Sequence, residues 1–249
     1  MNEGQNLDPA EAERRSTLRS RIRPLGADTP DELFLPFLDL CFNWSMDKPR
    51  VEVDELVERD DAAFYFKDWG RNGDIAVAAY ASDPNTGDAA ENDSVAGSEP
   101  EIVGLAWLRL AEFGAVMDRS TAAPEDTASD QTTAGAQTPA DSDNSDDTEA
   151  SDDGNATDTT AEVGPRFTGY GWVAADIPEL SLAVLPDHQS QGIGGMLLDV
   201  VCTLAKMSGF PAVSLSVEDG NGAARLYHDR DFVAVGRNGD ADILVRRLK

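Results

Sequence analysis

Lysine is scarce in this sequence: Lys48, Lys67, Lys206 and Lys249 are its only examples among 249 residues, and all Lys and Arg together number 20 against 47 Asp and Glu. The formal net charge is −27. Basic side chains supply most non-specific affinity for nucleic acid, and a surface this acidic repels polyanions and anionic bilayers alike. Neither nucleic acid nor membrane is expected as a partner. No apolar run approaches the ~18 residues of a membrane span, and the first twenty residues lack the apolar centre of a signal peptide, so the expected location is cytoplasmic. Cysteine is nearly missing as well. Cys41 and Cys202 sit far apart in apolar runs with no Cys or His at metal-ligand spacing; they read as reduced core thiols, and no metal is expected. His188 and His228 are the only histidines, and neither is assigned a role.

The acidity is general rather than confined to one tail. Twelve of the carboxylates lie in residues 121–164, a stretch without Lys or Arg, and the rest of the chain still carries −15. Asp-rich, Lys-poor chains of this kind resemble proteins of salt-accumulating halophiles, in which salt screens the repulsion among dense carboxylates.

Residues 119–164 consist largely of Ala, Thr, Ser, Asp, Gly and Glu, with no apolar period and no aromatic residue until Phe167. Such a segment buries too little apolar surface to offset chain entropy and is expected to be disordered. Residues 82–100 read as a shorter loop insert of the same kind, and residues 1–16 as a disordered tail. What remains, 168 residues, is the size of one domain spanning 17–249.

Within it, residues 18–24 read as a short strand. Thr29, Pro30 and Glu32 read as a helix start, with Pro36 kinking the helix that follows. A short helix is predicted over 53–59 and two strands over 74–81 and 101–110. The C-terminal part reads more clearly: strand 179–185, helix 192–208, strand 212–217, helix 222–230, and a final pair at 232–235 and 243–248 turning at Asn238-Gly239. This order predicts an α/β (α+β) protein.

The most informative segment joins strand 179–185 to helix 192–208. Gly192-Ile193-Gly194-Gly195 opens that helix, where free N–H groups and the positive dipole end favour an anion and glycine admits it close to the backbone. A tight turn with close packing is the structural alternative. A Rossmann fingerprint would need glycine at Leu197, and a P-loop would need Gly-Lys-Ser/Thr. Gln189-Ser190-Gln191-Gly192-Ile193-Gly194 instead resembles the Q/R-x-x-G-x-G/A pyrophosphate loop of GCN5-related N-acetyltransferases, the GNAT family. Downstream, Asn221, Ala223, Leu226, Tyr227 and Phe232 resemble the same family's NxAxxLYxxxGF segment, with Asp231 standing where glycine is usual.

The resemblance implies a GNAT fold, a mixed sheet of about six or seven strands with about four helices. Its two central parallel strands splay to admit the pantetheine arm of acetyl-CoA as a pseudo-strand. It implies that Leu182, Ala183 and Val184 present main-chain groups to that arm. Gln189, Ser190, Gln191, Gly192, Ile193, Gly194 and Gly195 would hold the pyrophosphate, and Asn221 would contact the arm; Asn221 also reads as a helix cap. Direct attack of a primary amine on the thioester is the implied reaction. An ordinary alkylammonium needs about 4.6 kcal/mol to lose its proton at pH 7, so Glu179 at the strand start is the candidate base, and Tyr227 the group that meets the departing thiolate. As alternatives, Glu179 reads as a solvated carboxylate and Tyr227 as a core residue. A silent acetyl-CoA-binding regulator and an interaction protein acting through the acidic insert are the competing functions. The amine acceptor is unspecified, and a homodimer stays open.

Overall fold

The computed structural model describes residues 8–84, 100–112, 114–116 and 167–249. Seven strands form one sheet: β1 (Ile22–Pro24), β2 (Ile75–Tyr80), β3 (Ile102–Arg109), β4 (Glu179–Val184), β5 (Ala212–Glu218), β6 (Val233–Asn238) and β7 (Ala241–Arg247), in the order β1-β2-β3-β4-β5-β7-β6. β4 and β5 are parallel, and every other neighbouring pair is antiparallel. The helices are α1 (Pro9–Ser20), α2 (Leu35–Phe42), α3 (Val53–Glu58), α4 (Asp60–Phe66), α5 (Ile193–Met207) and α6 (Ala223–His228), with short 3-10 turns at Asp31–Leu33 and Pro186–His188.

Both faces of the sheet are covered, which is why β2 and β3 read as almost continuous apolar runs. Val77 and Ala79 face one way, against Leu197, Leu198, Val201 and Ala205 of α5. Ala76 and Ala78 face the other way, into a layer built from Phe37 and Leu38 of α2, Leu56 of α3 and Phe64 and Tyr65 of α4. The i, i+4 spacing along α5 produces its apolar stripe. Gly209 ends that helix in the left-handed region at φ +89°, with Phe210 N–H returning to the Ala205 carbonyl.

Four expectations are corrected. Residues 9–16 are not a tail: Asp8 Oδ1 accepts the Ala10 N–H, proline occupies the first turn, and α1 runs on through Leu18, which the sequence reading placed in a strand. Leu18 packs on the core, an anchor that local composition does not reveal. Pro36 does not kink a helix; it lies in the first turn of α2, where its missing N–H costs nothing. α4 was not foreseen. The inserts expected at 82–100 and 119–164 lie outside the described residues, except for 82–84 and 100.

Candidate functional site

β4 and β5 are in register only at Glu179 and Ser214, where Ser214 N–H donates to the Pro178 carbonyl at 3.0 Å. Beyond that point no ladder joins them among the described residues. Strand alternation then decides which peptide groups face the opening. Leu185 N–H bonds the Val103 carbonyl of the β3 side, so Ala183 spends its backbone on β3, while Leu182 and Val184 turn theirs toward β5. Of the three residues expected there, two present main-chain groups to the gap. The Cys41 thiol of α2 lies 3.6 Å from the Leu182 carbonyl, and Gln189 Nε2 donates to the Val184 carbonyl at 3.0 Å.

The gap ends at the 189–195 turn. Ser190 and Gly192 both take positive φ, +58° and +85°, which folds the chain sharply into α5. Gly192 supplies no side-chain cap, so the first N–H groups of this fifteen-residue helix face outward. Gln189, Ser190, Gln191 and Gly192 are exposed, whereas Ile193 and Gly195 are buried against the fold. A Cβ on Gly194 would sit 3.5 Å from Leu226, 3.7 Å from Leu182 and 3.8 Å from Val184. These are ordinary contact distances, so a Cβ would fit there and glycine leaves that space free beside β4.

At the other end of β4, Glu179 is 95% buried. It is therefore not a solvated carboxylate. Oε1 accepts from Tyr65 Oη at 2.9 Å and from Gly171 N–H at 2.8 Å, while Oε2 has no hydrogen-bond partner among the described residues. Burial pushes its pKa up to about 7, against the opposing pull of those two donors. Gly169, at φ +111°, makes this possible: a Cβ on it would fall 2.0 Å from Oε2. Tyr65 is fixed by Tyr170, whose N–H donates to the Tyr65 hydroxyl at 3.0 Å and whose ring stacks on it at 6.3 Å. The Tyr170 hydroxyl donates to Asp61, held by Arg59 at 2.6 Å.

Tyr227 is 93% buried, with its ring 5.8 Å from that of Phe232. Burial first, then the neighbouring Cys41 thiol, raises its pKa. Burial pushes Cys41 itself up to about 12, so it remains a neutral thiol. Asn221 Oδ1 accepts the Ala223 N–H at 2.9 Å, the capping role. Asp231 adopts φ +64°, preserving the left-handed helix end that glycine would provide.

The strands β4 and β5 thus form a split parallel pair that leads from an uncapped glycine turn to a buried carboxylate. The model of the acetyltransferase (GNAT) family matches residues 37–232. The chain belongs to this family. Among solved structures, a GNAT-family acetyltransferase of Staphylococcus aureus Mu50 is 12% identical over 92% of this chain and 99% of its own, with TM-score 0.47. Ribosomal-protein-alanine N-acetyltransferase of Brucella melitensis is 14% identical over 90% and 96%, with TM-score 0.42. A Salmonella typhimurium protein solved with its cofactor acetyl-CoA is 15% identical over 92% and 95%, with TM-score 0.40. A search of curated protein sequences finds no match.

Within this GNAT chain, the sequence reading missed Tyr65 and Tyr170, and it took Cys41 only as a core thiol. Tyr65 stands in the aromatic run Phe64-Tyr65-Phe66, the signal that could have placed it in a buried helix. Tyr170 carries no local signal, and only folding brings it and Cys41 to β4.

Proposed function

We propose that this chain is an acetyl-CoA-dependent N-acetyltransferase that acetylates a primary amine by direct attack within a ternary complex. The carrying observation is Glu179: a buried carboxylate at the closed end of the β4–β5 gap, with one oxygen tied and the other without a hydrogen-bond partner among the described residues. Acetyl-CoA, when bound, supplies the activated thioester.

The chain's own residues do the rest. The N–H groups of the 189–195 turn hold pyrophosphate at the positive end of α5. Leu182 and Val184 offer main-chain groups to an arm lying in the gap, an arrangement that completes the sheet by strand addition. Five residue steps of β4 separate Val184 from Glu179, a span of ~17 Å at the usual strand rise, so binding and proton transfer occur at opposite ends of one strand. Glu179 Oε2 takes the ammonium proton through a bridging water. A carboxyl group poised near pH 7 is matched to that task, because about half of it is ionised at neutral pH and that half is basic enough to accept a proton. Tyr227 hydrogen-bonds the departing thiolate; burial holds its phenol above the ordinary value near 10, so full transfer to a thiol near 8.5 is uphill by more than about 2 kcal/mol, and the hydrogen bond suffices.

Release of free thiol from acetyl-CoA, assayed across polyamines, amino acids, aminoglycosides and peptides with free N-termini or lysines, tests this reading. Turnover with at least one amine is expected. Tyr227→Phe should lower kcat by about tenfold to a thousandfold with acetyl-CoA affinity nearly intact, because the hydroxyl acts on charge present only late in the reaction. Coenzyme binding without turnover of any amine would identify a silent acetyl-CoA sensor instead.

A further inference from the structure

Two arginines outside the assigned site stand at the ends of the 189–195 turn. Arg14 lies on α1, where it borders a surface cleft of ≈ 540 Å³ closed on the other side by Gln191. One turn on, Leu18 brings a methyl to 3.6 Å from the place of a Cβ on Gly192, so α1 is packed against the turn itself. Arg230 arrives from beyond α6. Its Nε donates to Asp199 Oδ1 at 2.9 Å, which orients the guanidinium and leaves its outer nitrogens free of that bond. Nη2 then lies only 2.7 Å from where a Cβ on Gly195 would be. Glycine at 195 is what lets the guanidinium cover the helix start.

Among the described residues eight arginines form ion pairs and six do not, and three of those six lie on α1. Arg23, Arg50, Arg59, Arg71 and Arg109 all form ion pairs, as expected where acids outnumber bases by 47 to 20. Arg14, Arg15 and Arg19 have no carboxylate partner among the described residues, although Glu11 and Glu13 share their helix. Arg14, bonded only to the Ala10 carbonyl of its own helix, and the outer nitrogens of Arg230, which its ion pair with Asp199 leaves over, stand beside a turn of outward N–H groups and complement an anion from outside. A phosphate matches their planar fork.

We infer that Arg14 and Arg230 clamp the phosphates of the coenzyme's nucleotide end, with α1 as an added wall of the site. The inference rests on the acetyl-CoA reading above. Because the body of the protein repels a polyanion, these two contacts supply local attraction where the ligand must enter. Glu13 lines the same cleft and opposes them.

Calorimetric titration of the full-length protein with coenzyme A and with dephospho-coenzyme A, which lacks the 3′-phosphate, tests this. Arg14→Gln and Arg230→Gln should each weaken coenzyme A binding by about tenfold, with unchanged circular dichroism. Glu13→Gln should tighten it by about twofold to threefold. That opposite sign would not arise if α1 acted only as packing. A loss seen with coenzyme A alone places the clamp on the 3′-phosphate; an equal loss with both ligands places it on the pyrophosphate. Wild-type binding that neither arginine variant weakens would overturn the clamp and leave the transferase reading standing. A wild-type protein that binds no coenzyme would overturn both.

Discussion

Glu179 concentrates the chemistry of this chain into one side chain, and its environment makes two signed predictions. Burial raises its pKa from 4.5 to about 7, while the Tyr65 hydroxyl and Gly171 N–H favour the ionised form. The pH dependence of kcat/KM should therefore rise through about pH 7. Tyr65→Phe removes a donor that stabilises the carboxylate, so it should move the midpoint upward, and Glu179→Gln should abolish that limb. A midpoint unmoved in Tyr65→Phe would show that another group titrates. The same shift governs stability. Between pH 4.5 and about 7 the folded state holds a proton that the unfolded state has released, so stability falls as pH rises through this window, by about 3 kcal/mol in all. Glu179→Gln should thus gain stability relative to wild type at pH 8 and show little gain at pH 4.5, as read by urea denaturation at each pH.

At the scale of elements, the junction of β4 with α5 and the end of α6 carry the backbone requirements. Gly194→Glu would push a charged side chain between Leu226, Leu182 and Val184, where the coenzyme should pass. Loss of calorimetric acetyl-CoA binding by at least about a hundredfold is expected, with the fold retained. Undiminished affinity would remove the turn from the binding site. Asp231 holds φ +64°, a conformation disfavoured for any residue with a Cβ. Asp231→Gly should therefore stabilise the protein by about 0.5–1 kcal/mol, the relief of backbone strain exceeding the added freedom of the unfolded chain. A lower denaturation midpoint in that variant would show that the aspartate side chain contributes more than its backbone strain costs. Buried Arg109 is a further tie between elements. It bonds Asp74 at 3.1 Å and the carbonyls of Phe64 and Lys67, holding α4, and with it Tyr65, against β3.

For the molecule as a whole, a net charge of −27 faces a coenzyme that is itself strongly anionic. At 0.01 M ionic strength the Debye length is about 30 Å, and most carboxylates oppose the ligand; at 1 M it is about 3 Å, and only groups in contact count. Acetyl-CoA affinity and folding stability should both rise from 0.05 M toward 2 M KCl, opposite to the trend for a basic phosphate-binding protein. Flat or falling affinity, with the protein folded throughout, would contradict this account of the charge.

The sequence by itself determined the elements whose signals are local: the strand, glycine turn and helix at 179–207, the Asn221 to Phe232 segment, and the placement of Glu179 and Tyr227. Periodicity, capping residues and glycine spacing are properties of short windows, and they suffice for such elements. Family membership could be read from the same short segments. Tertiary structure alone decided that Glu179 is buried, because its burial comes from Tyr65, Gly169 and Gly171, which are remote in sequence or follow the acidic stretch. It alone packed the helix over residues 9–16 on the glycine turn, since a polar helix is fixed by what its few apolar side chains touch. It alone set Leu182 and Val184, but not Ala183, toward the gap, because the side to which a peptide group points depends on the register with β3. Contacts between distant segments have no local period, and they decided these outcomes.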